Sequence, residues 1–348
     1  MSINMNYSKS SKVPRKKYFG GLVAAMIAPE FASLVGLVIL VIVLEVFSGR
    51  FFSSGEISGA SAITSTIGII GIGVTILMIS GEFDLSVGTT AAFSGIIMAK
   101  LITEAGWNSV AALIAGLIAA ALIGLINASL TVFLKIPSFI ATLGMYFLLG
   151  GVNFIITSGY SVDITGHSGV LLSILGGQPR GFPLAAPFIW MILMAIVFAT
   201  LLGAMTYGNW TFATGSKGGR SAGMVGVPVL RVKIINFIVC STLSGIAGVM
   251  ALSQYGSMSS GFSSGYNLIA IVATVLGGTS LLGGRGSVLG TVIGAALLGV
   301  LDTGLVLVGA PGTFYTAMIG VILVIAVVLD VRIERLGRVL AISKRGTN

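Results

Sequence analysis

The chain has 348 residues, of which 55% are hydrophobic and only 8% charged. A soluble domain carries about 25% charged residues and must present polar groups to water, so an ordinary water-soluble enzyme fold is excluded. The formal net charge is +9, but the cations gather at both chain ends and in one central segment, a pattern of membrane surfaces rather than of nucleic-acid binding.

In chain order, the first residues carry five cations, Lys9, Lys12, Arg15, Lys16 and Lys17, ahead of an apolar stretch at 18–28. Pro29 and Glu30 interrupt that stretch and a longer apolar run follows. Residues 1–30 are therefore expected to be a basic cytoplasmic tail and a short interfacial helix rather than a cleaved signal. A bilayer core about 30 Å thick needs about 20 apolar residues as a helix. Within residues 31–330 the segments that suit are 31–48, 60–80, 86–103, 110–134, 138–158, 185–206, 232–252, 267–282, 286–307 and 313–330, ten in all. The connections around 81–86 and 283–286 are so short that each reads as a broken helix or a re-entrant turn. Residues 331–348 form a second basic tail, with Arg332, Arg335, Arg338, Lys344 and Arg345. Lipid satisfies no open backbone group, and the alternation of a membrane barrel is absent. The expected fold class is all-α: a polytopic transmembrane helical bundle of about ten spans, with short broken or re-entrant helices.

The charges test this count. With the N-terminal tail inside the cell, six spans return the chain to the same side at residue 207. Lys217, Arg220, Arg231 and Lys233 then belong to a cytoplasmic segment around 207–231, and four further spans bring the C-terminal tail to that side too. Lys135 and Arg285 fall inside, whereas Glu56, Glu104, Asp163 and the loop 159–184 with its single histidine, His167, fall outside. That segregation is the one expected of a multi-pass protein with both termini cytoplasmic.

No catalytic, cofactor or metal constellation stands out. The stretch GTSLLGGRGS, Gly278–Ser287, lacks the lysine of a phosphate loop. One cysteine, Cys240, and one histidine offer neither a disulfide nor a metal site. Ionisable residues within a membrane domain are functional suspects, and Glu82 and Asp84, in GEFDLSVG (Gly81–Gly88), are the foremost. They suit the capping of a helix start, and they also suit contact with cargo or a coupling ion. Glu45 and Asp302 sit near span ends, where snorkelling accounts for them. Asn127, Asn153, Asn236 and Asn267 are expected to bridge helices. Glycine is abundant, and small residues let membrane helices approach closely. Gly286, Gly290 and Gly294 recur every four residues on span nine, and Ser241, Ser244, Gly245 and Gly248 make a similar face on span seven.

Four stretches together resemble the ribose-type permeases of bacterial binding-protein-dependent ABC importers. Gly81–Gly88 is similar to the family's GxxDLSVG signature, and Ile136–Gly144, IPSFIATLG, to its PSFIATLG segment. Leu276–Gly290, LGGTSLLGGRGSVLG, is similar to its GGTSLxGGxGSxxG stretch. Ala213–Val229 with Arg231 and Lys233 resembles the family's cytoplasmic loop. They occur in the family's order and spacing from about residue 35 to 330. The loop departs from the pattern: the asparagine and AAR of ATGGNxxAARxxGI are replaced, and it is one residue longer.

The resemblance implies a non-enzymatic permease subunit of the bacterial inner membrane, without a cofactor of its own. ATP would be bound by partner ABC ATPase subunits, and cargo delivered by an extracytoplasmic solute-binding protein. A second permease chain, identical or different, would complete the pore. It implies that Lys217, Arg220, Ala222, Met224, Val225 and Gly226 form the ATPase-coupling loop. Candidate pathway or gate residues are Asp84, Ser138, Phe139, Thr142 and Asn153. The cargo implied is a pentose or hexose, with nucleosides, autoinducer-type furanosyl compounds and branched-chain amino acids as alternatives. A secondary carrier, driven by ions through Glu82 or Asp84, is the rival mechanism.

Overall fold

The computed structural model describes residues 29–167, 169–179, 181–216, 219–263, 265–325 and 328. Both basic tails lie outside these residues. The described chain is built almost wholly of helices: α1 (Pro29–Ser48), α2 (Ser54–Ile79), α3 (Val87–Thr103), α4 (Ser109–Val132) and α5 (Ser138–Thr157), then α6 (Val170–Gly176), α7 (Ala186–Ala204), α8 (Thr206–Gly215), α9 (Gly219–Met224) and α10 (Val229–Tyr255), and finally α11 (Tyr266–Leu276), α12 (Val288–Leu307) and α13 (Gly312–Ile325). Two short strands, β1 (Val162–Asp163) and β2 (Ser257–Met258), pair antiparallel, with Val162 opposite Met258.

Among the described residues seven helices are long and apolar enough to cross a membrane, and α3, α13 and the segment ending in α11 are shorter apolar pieces. Each of the ten expected spans thus has a helical counterpart. Among the described residues Pro29 is the first of α1. α2 begins six residues before the expected span because Ser53 caps it, its side chain accepting from the Glu56 N–H at 3.4 Å. The segment 267–282 closes early. Its helix α11 has 11 residues and is about 16 Å long, too short to cross the core alone, and Gly277 and Gly278 end it. A 3₁₀ turn at Ser260–Ser263 leads into it. The chain therefore passes from the β pair to the opposite end of the bundle by a broken path.

The residues 207–231 are not an open loop. α8 and α9 occupy most of them, so the glycines there punctuate two short helices rather than dissolve them. The loop 159–184 likewise contains β1 and α6.

The centre is formed by α2, α3 and α10. Almost all of the most apolar window of α2, 94%, is buried, against 11% for α1, so α2 is apolar all round and shows no amphipathic face. α10 packs on α2, α3 and α4, while α12 packs on α1, α2 and α11. α1, α4, α5 and α7 turn broad apolar faces outward, which only lipid or another apolar partner can cover.

Candidate functional site: a junction of two breaks and a helical arm

The helix break after α2 begins where Gly81 takes a left-handed turn, φ +84°. Non-helical backbone inside a membrane domain needs protein partners for its N–H groups, and α5 supplies them. Phe83 N–H donates to Ser138 Oγ (3.2 Å) and Leu85 N–H to Thr142 Oγ1 (3.1 Å). Asp84, buried to 1% exposure, closes a local turn in which Oδ1 accepts from Ser86 N–H (2.7 Å) and Ser86 Oγ (2.6 Å). Its Oδ2 accepts from Asn127 of α4 (3.3 Å) and Ser241 of α10 (3.4 Å). One carboxylate thus fixes the start of α3 against two further helices. Asn153 adds a bond from α5 to Thr89 O of α3 at 3.1 Å.

The structure therefore brings Ser138 and Thr142 to the backbone on either side of Asp84, whose carboxylate itself bonds Ser86, Asn127 and Ser241, and sets Asn153 a turn farther along α3. Phe139 is outside it, exposed on the outer face of α5. Asn127 and Asn153 bridge elements, and so does Asn236, which accepts from Tyr207 of α8 at 2.5 Å. Glu82 does not cap α3. It forms an ion pair with Lys233 of α10. The two residues lie 151 positions apart, and nothing in the linear order links them.

The second break, 277–287, turns through Gly278, Gly283 and Gly284, all at positive φ. Ser287 caps α12 by accepting from Gly290 N–H at 3.2 Å. Gly284 N–H donates to Ile79 O, the end of α2, at 2.9 Å. Between the breaks lies Gly215, the last residue of α8. A Cβ there would fall 2.8 Å from the Ile79 carbonyl carbon and 2.9 Å from Gly284 N, and a Cβ on Gly283 would fall 2.8 Å from Gly215 O. Two breaks and the end of α8 thus meet as bare backbone. Gly286 precedes α12 rather than belonging to it and faces Ile79 and Thr279; Gly290 and Gly294 lie against the Gly277 and Ala273 carbonyls.

Beyond Gly215 the chain reaches α9. Lys217 lies outside the described residues, as does the side chain of Arg220. Met224 and Val225 are each 81% exposed, whereas Ala222 is 7% exposed. Ala222 therefore belongs to the inner face of α9, not to an apolar surface shared with Met224 and Val225. Gly226, φ +90°, turns the chain towards α10.

At the other end of the bundle, His167, Gln178 and Gln254 help line a cavity of about 500 Å³. Hydrogen bonds from Thr165, whose N–H lies 2.6 Å from Oδ1, hold the nearby Asp163 carboxyl below the usual carboxylate range. Among the described residues no three His, Cys, Asp or Glu side chains gather where they could hold a metal ion.

Residues 57–327 match the family model described as the branched-chain amino acid transport system permease component. The chain belongs to this permease family. It is 32% identical over 312 residues to the ribose import permease protein of Escherichia coli (strain K12), an alignment that spans 86% of this chain and 93% of the relative. It is 33% identical to the xylose/arabinose import permease protein of Sulfolobus acidocaldarius, spanning 88% and 86%. It is 34% identical to the L-arabinose transport system permease protein of Escherichia coli (strain K12), spanning 86% and 90%. No solved structure matches the chain. The permease match takes in both breaks, α8, α9 and the Glu82–Lys233 pair.

Proposed function

We infer that this chain is the membrane-spanning permease subunit of an ABC importer that carries a monosaccharide, pentose or hexose. Separate ATPase subunits would power it and an extracytoplasmic binding protein would supply it. The observation that carries this reading is the near full-length similarity to sugar import permeases. The junction supports it. A transport stroke needs an arm that projects from the bundle and is wedged at its root, and α8–α9 is such an arm, with Met224 and Val225 outermost. Both chain ends and this arm face the cytoplasm, and the β pair faces outward. This orientation rests on the distribution of cations.

The direct test is reconstitution. Liposomes that contain the chain with its ATPase subunits and a sugar-loaded binding protein should take up sugar when ATP is supplied, and the chain alone should neither hydrolyse ATP nor transport. Ion-driven uptake by the chain alone would replace this reading with a secondary carrier. ATP-driven uptake of leucine but of no pentose or hexose would keep the importer and change the cargo.

A further inference from the structure

The segment that runs from α8 through α9 into α10 is fastened at both ends to the same short stretch of chain. At its N-terminal end, Gly215 is wedged against Ile79 and Gly284 with no side chain between the backbones. At its C-terminal end, Lys233, one turn into α10, forms an ion pair with Glu82, three residues past the end of α2. The loop so closed, residues 215–233, contains the exposed tip of α9. The stretch it is fastened to, residues 79–86, leads directly into α3 and carries the Asp84 network. Glycine contacts transmit a push, because backbones cannot overlap, but they do not resist a pull. An ion pair resists separation. Its side chains are 11% exposed for Glu82 and 26% for Lys233, so water screens it less than a surface pair.

We propose that Glu82 and Lys233 are positioning residues for coupling: they hold the start of α10 to the break before α3, so that movement of α9 reaches the break instead of being taken up at the α9–α10 joint. The inference rests on the importer reading above. With the pair intact, residues 215–233 form a closed loop and displacement of its tip must move residues 79–86. With the pair broken, the next tie of α10 is Asn236, a turn farther along, which accepts from Tyr207 and donates to Ile76 O. The first turn of α10 then has no charged tie to residues 79–86, and the turn at Gly226 and Pro228 lets α9 swing without carrying the break. Neither residue need touch cargo or nucleotide for this.

The test measures ATP hydrolysed per sugar imported by the full complex in liposomes, using the sugar that the wild type transports. Glu82→Gln and Lys233→Met should each raise that ratio several-fold while ATPase activity persists. The charge exchange Glu82→Lys with Lys233→Glu should bring the ratio part of the way back. Lys100→Met, which breaks the ion pair Lys100–Glu104 at the far end of α3, should leave it unchanged. Thermal unfolding of each purified variant separates the two roles. If Glu82→Gln and Lys233→Met lower stability but leave the ratio at its wild-type value, the pair is structural only and the proposal is wrong. It is equally wrong if the exchange variant folds and assembles but stays as uncoupled as the single variants. Absence of ATP-driven uptake by the wild-type complex would overturn the importer reading itself, and the coupling role with it.

Discussion

Gly290 offers a sharp test of how the bundle is held together. In Gly290→Ala the added Cβ would lie 2.7 Å from Glu30 Cγ, 2.9 Å from the Gly277 carbonyl carbon, and nearer still to the Gly277 oxygen. Carbon pairs rest at about 3.5–4.0 Å, so α12 and the turn at Gly277 must part by about 1 Å. Glu30 can swing aside, but the Gly277 carbonyl is backbone, tied into the end of α11, and cannot. Forcing a methyl into a packed contact costs about 1–3 kcal/mol. The comparison is Gly320→Ala in α13, whose added Cβ meets nothing within 4 Å. Both variants take the helix-propensity gain of alanine over glycine, up to about 1 kcal/mol, so the contact is what separates them. Gly290→Ala should be the less stable by about 1–3 kcal/mol, read as a lower unfolding temperature in detergent followed by fluorescence-detected size exclusion. Gly290→Leu should cut the yield of folded protein, and Leu297→Ala should do so far less. Equal unfolding temperatures for the two alanine variants would refute the idea that α12 touches the Gly277 turn.

Other substitutions probe the junction and its orientation. Asp84→Ala removes the acceptor of four hydrogen bonds and leaves buried donors unpaired, at about 1–3 kcal/mol for each group stranded. Asp84→Asn keeps the oxygen facing Ser86 and should lose less stability, a ranking that thermal unfolding of the two variants checks. Met224→Glu with Val225→Glu should leave insertion intact but abolish co-purification of the ATPase subunits and ATP-driven uptake, whereas Ala222→Glu should reduce folded protein because Ala222 is buried. Normal assembly of the Met224/Val225 double variant would reduce α9 to a topological anchor. A cysteine at Tyr160 should react with an impermeant thiol reagent in intact cells and one at Val225 should not, against the low background that buried Cys240 provides; the reverse pattern would invert the proposed orientation.

The helices were legible because lipid imposes a length and an apolarity that few other contexts reproduce. The places where the sequence misleads are those where tertiary contacts override a local signal. The stretch 207–231 reads as a loop because it is polar and rich in glycine, yet α8 is held by Tyr207 on Asn236 and by Gly215 in the junction. Ala222 reads as one coupling-loop residue with Met224 and Val225, because a short helix reveals little in sequence about which face turns inward, yet it is buried while they are exposed. The strands at 162–163 and 257–258 are too short to show a two-residue period. The early end of α11 was signalled by Gly277–Gly278, but the apolar Leu281–Leu282 beyond masks it in a hydropathy reading. For the junction, the four-residue spacing of Gly286, Gly290 and Gly294 announced a close approach, while the partner surface, Gly277 and Ala273, could only be found in three dimensions. Glu82 drew attention as an intramembrane carboxylate, but its cation sits on a helix that begins at Val229, 150 residues after α2 ends at Ile79, at a position that reads only as one more basic residue flanking a span.

These contacts share a cause, and it bears on how the bundle moves. Water drives helices of a soluble protein together, but lipid tails are as apolar as leucine, so membrane helices gain mainly from close packing. Here that packing reaches the backbone. A Cβ on Gly124 of α4 would lie 2.7 Å from Phe237 O of α10, one on Gly73 of α2 would lie 2.9 Å from Cys240 Cα, and one on Gly116 of α4 would lie 2.8 Å from Ser94 O of α3. Contacts of backbone on backbone have no rotamers with which to absorb a displacement. α2, α3, α4 and α10 are therefore joined stiffly, and compliance is left to the irregular turns: Gly81 before α3, Gly278 and Gly283 before α12, and Gly226 before α10, each in the left-handed region. Three of these four turns lie in the two breaks that meet Gly215, and the fourth lies between the tip of α9 and Lys233. A force applied at α9 meets hinges on every route into the bundle. Which hinge yields depends on how firmly the first turn of α10 is held, and the Glu82–Lys233 pair is the charged tie at that turn.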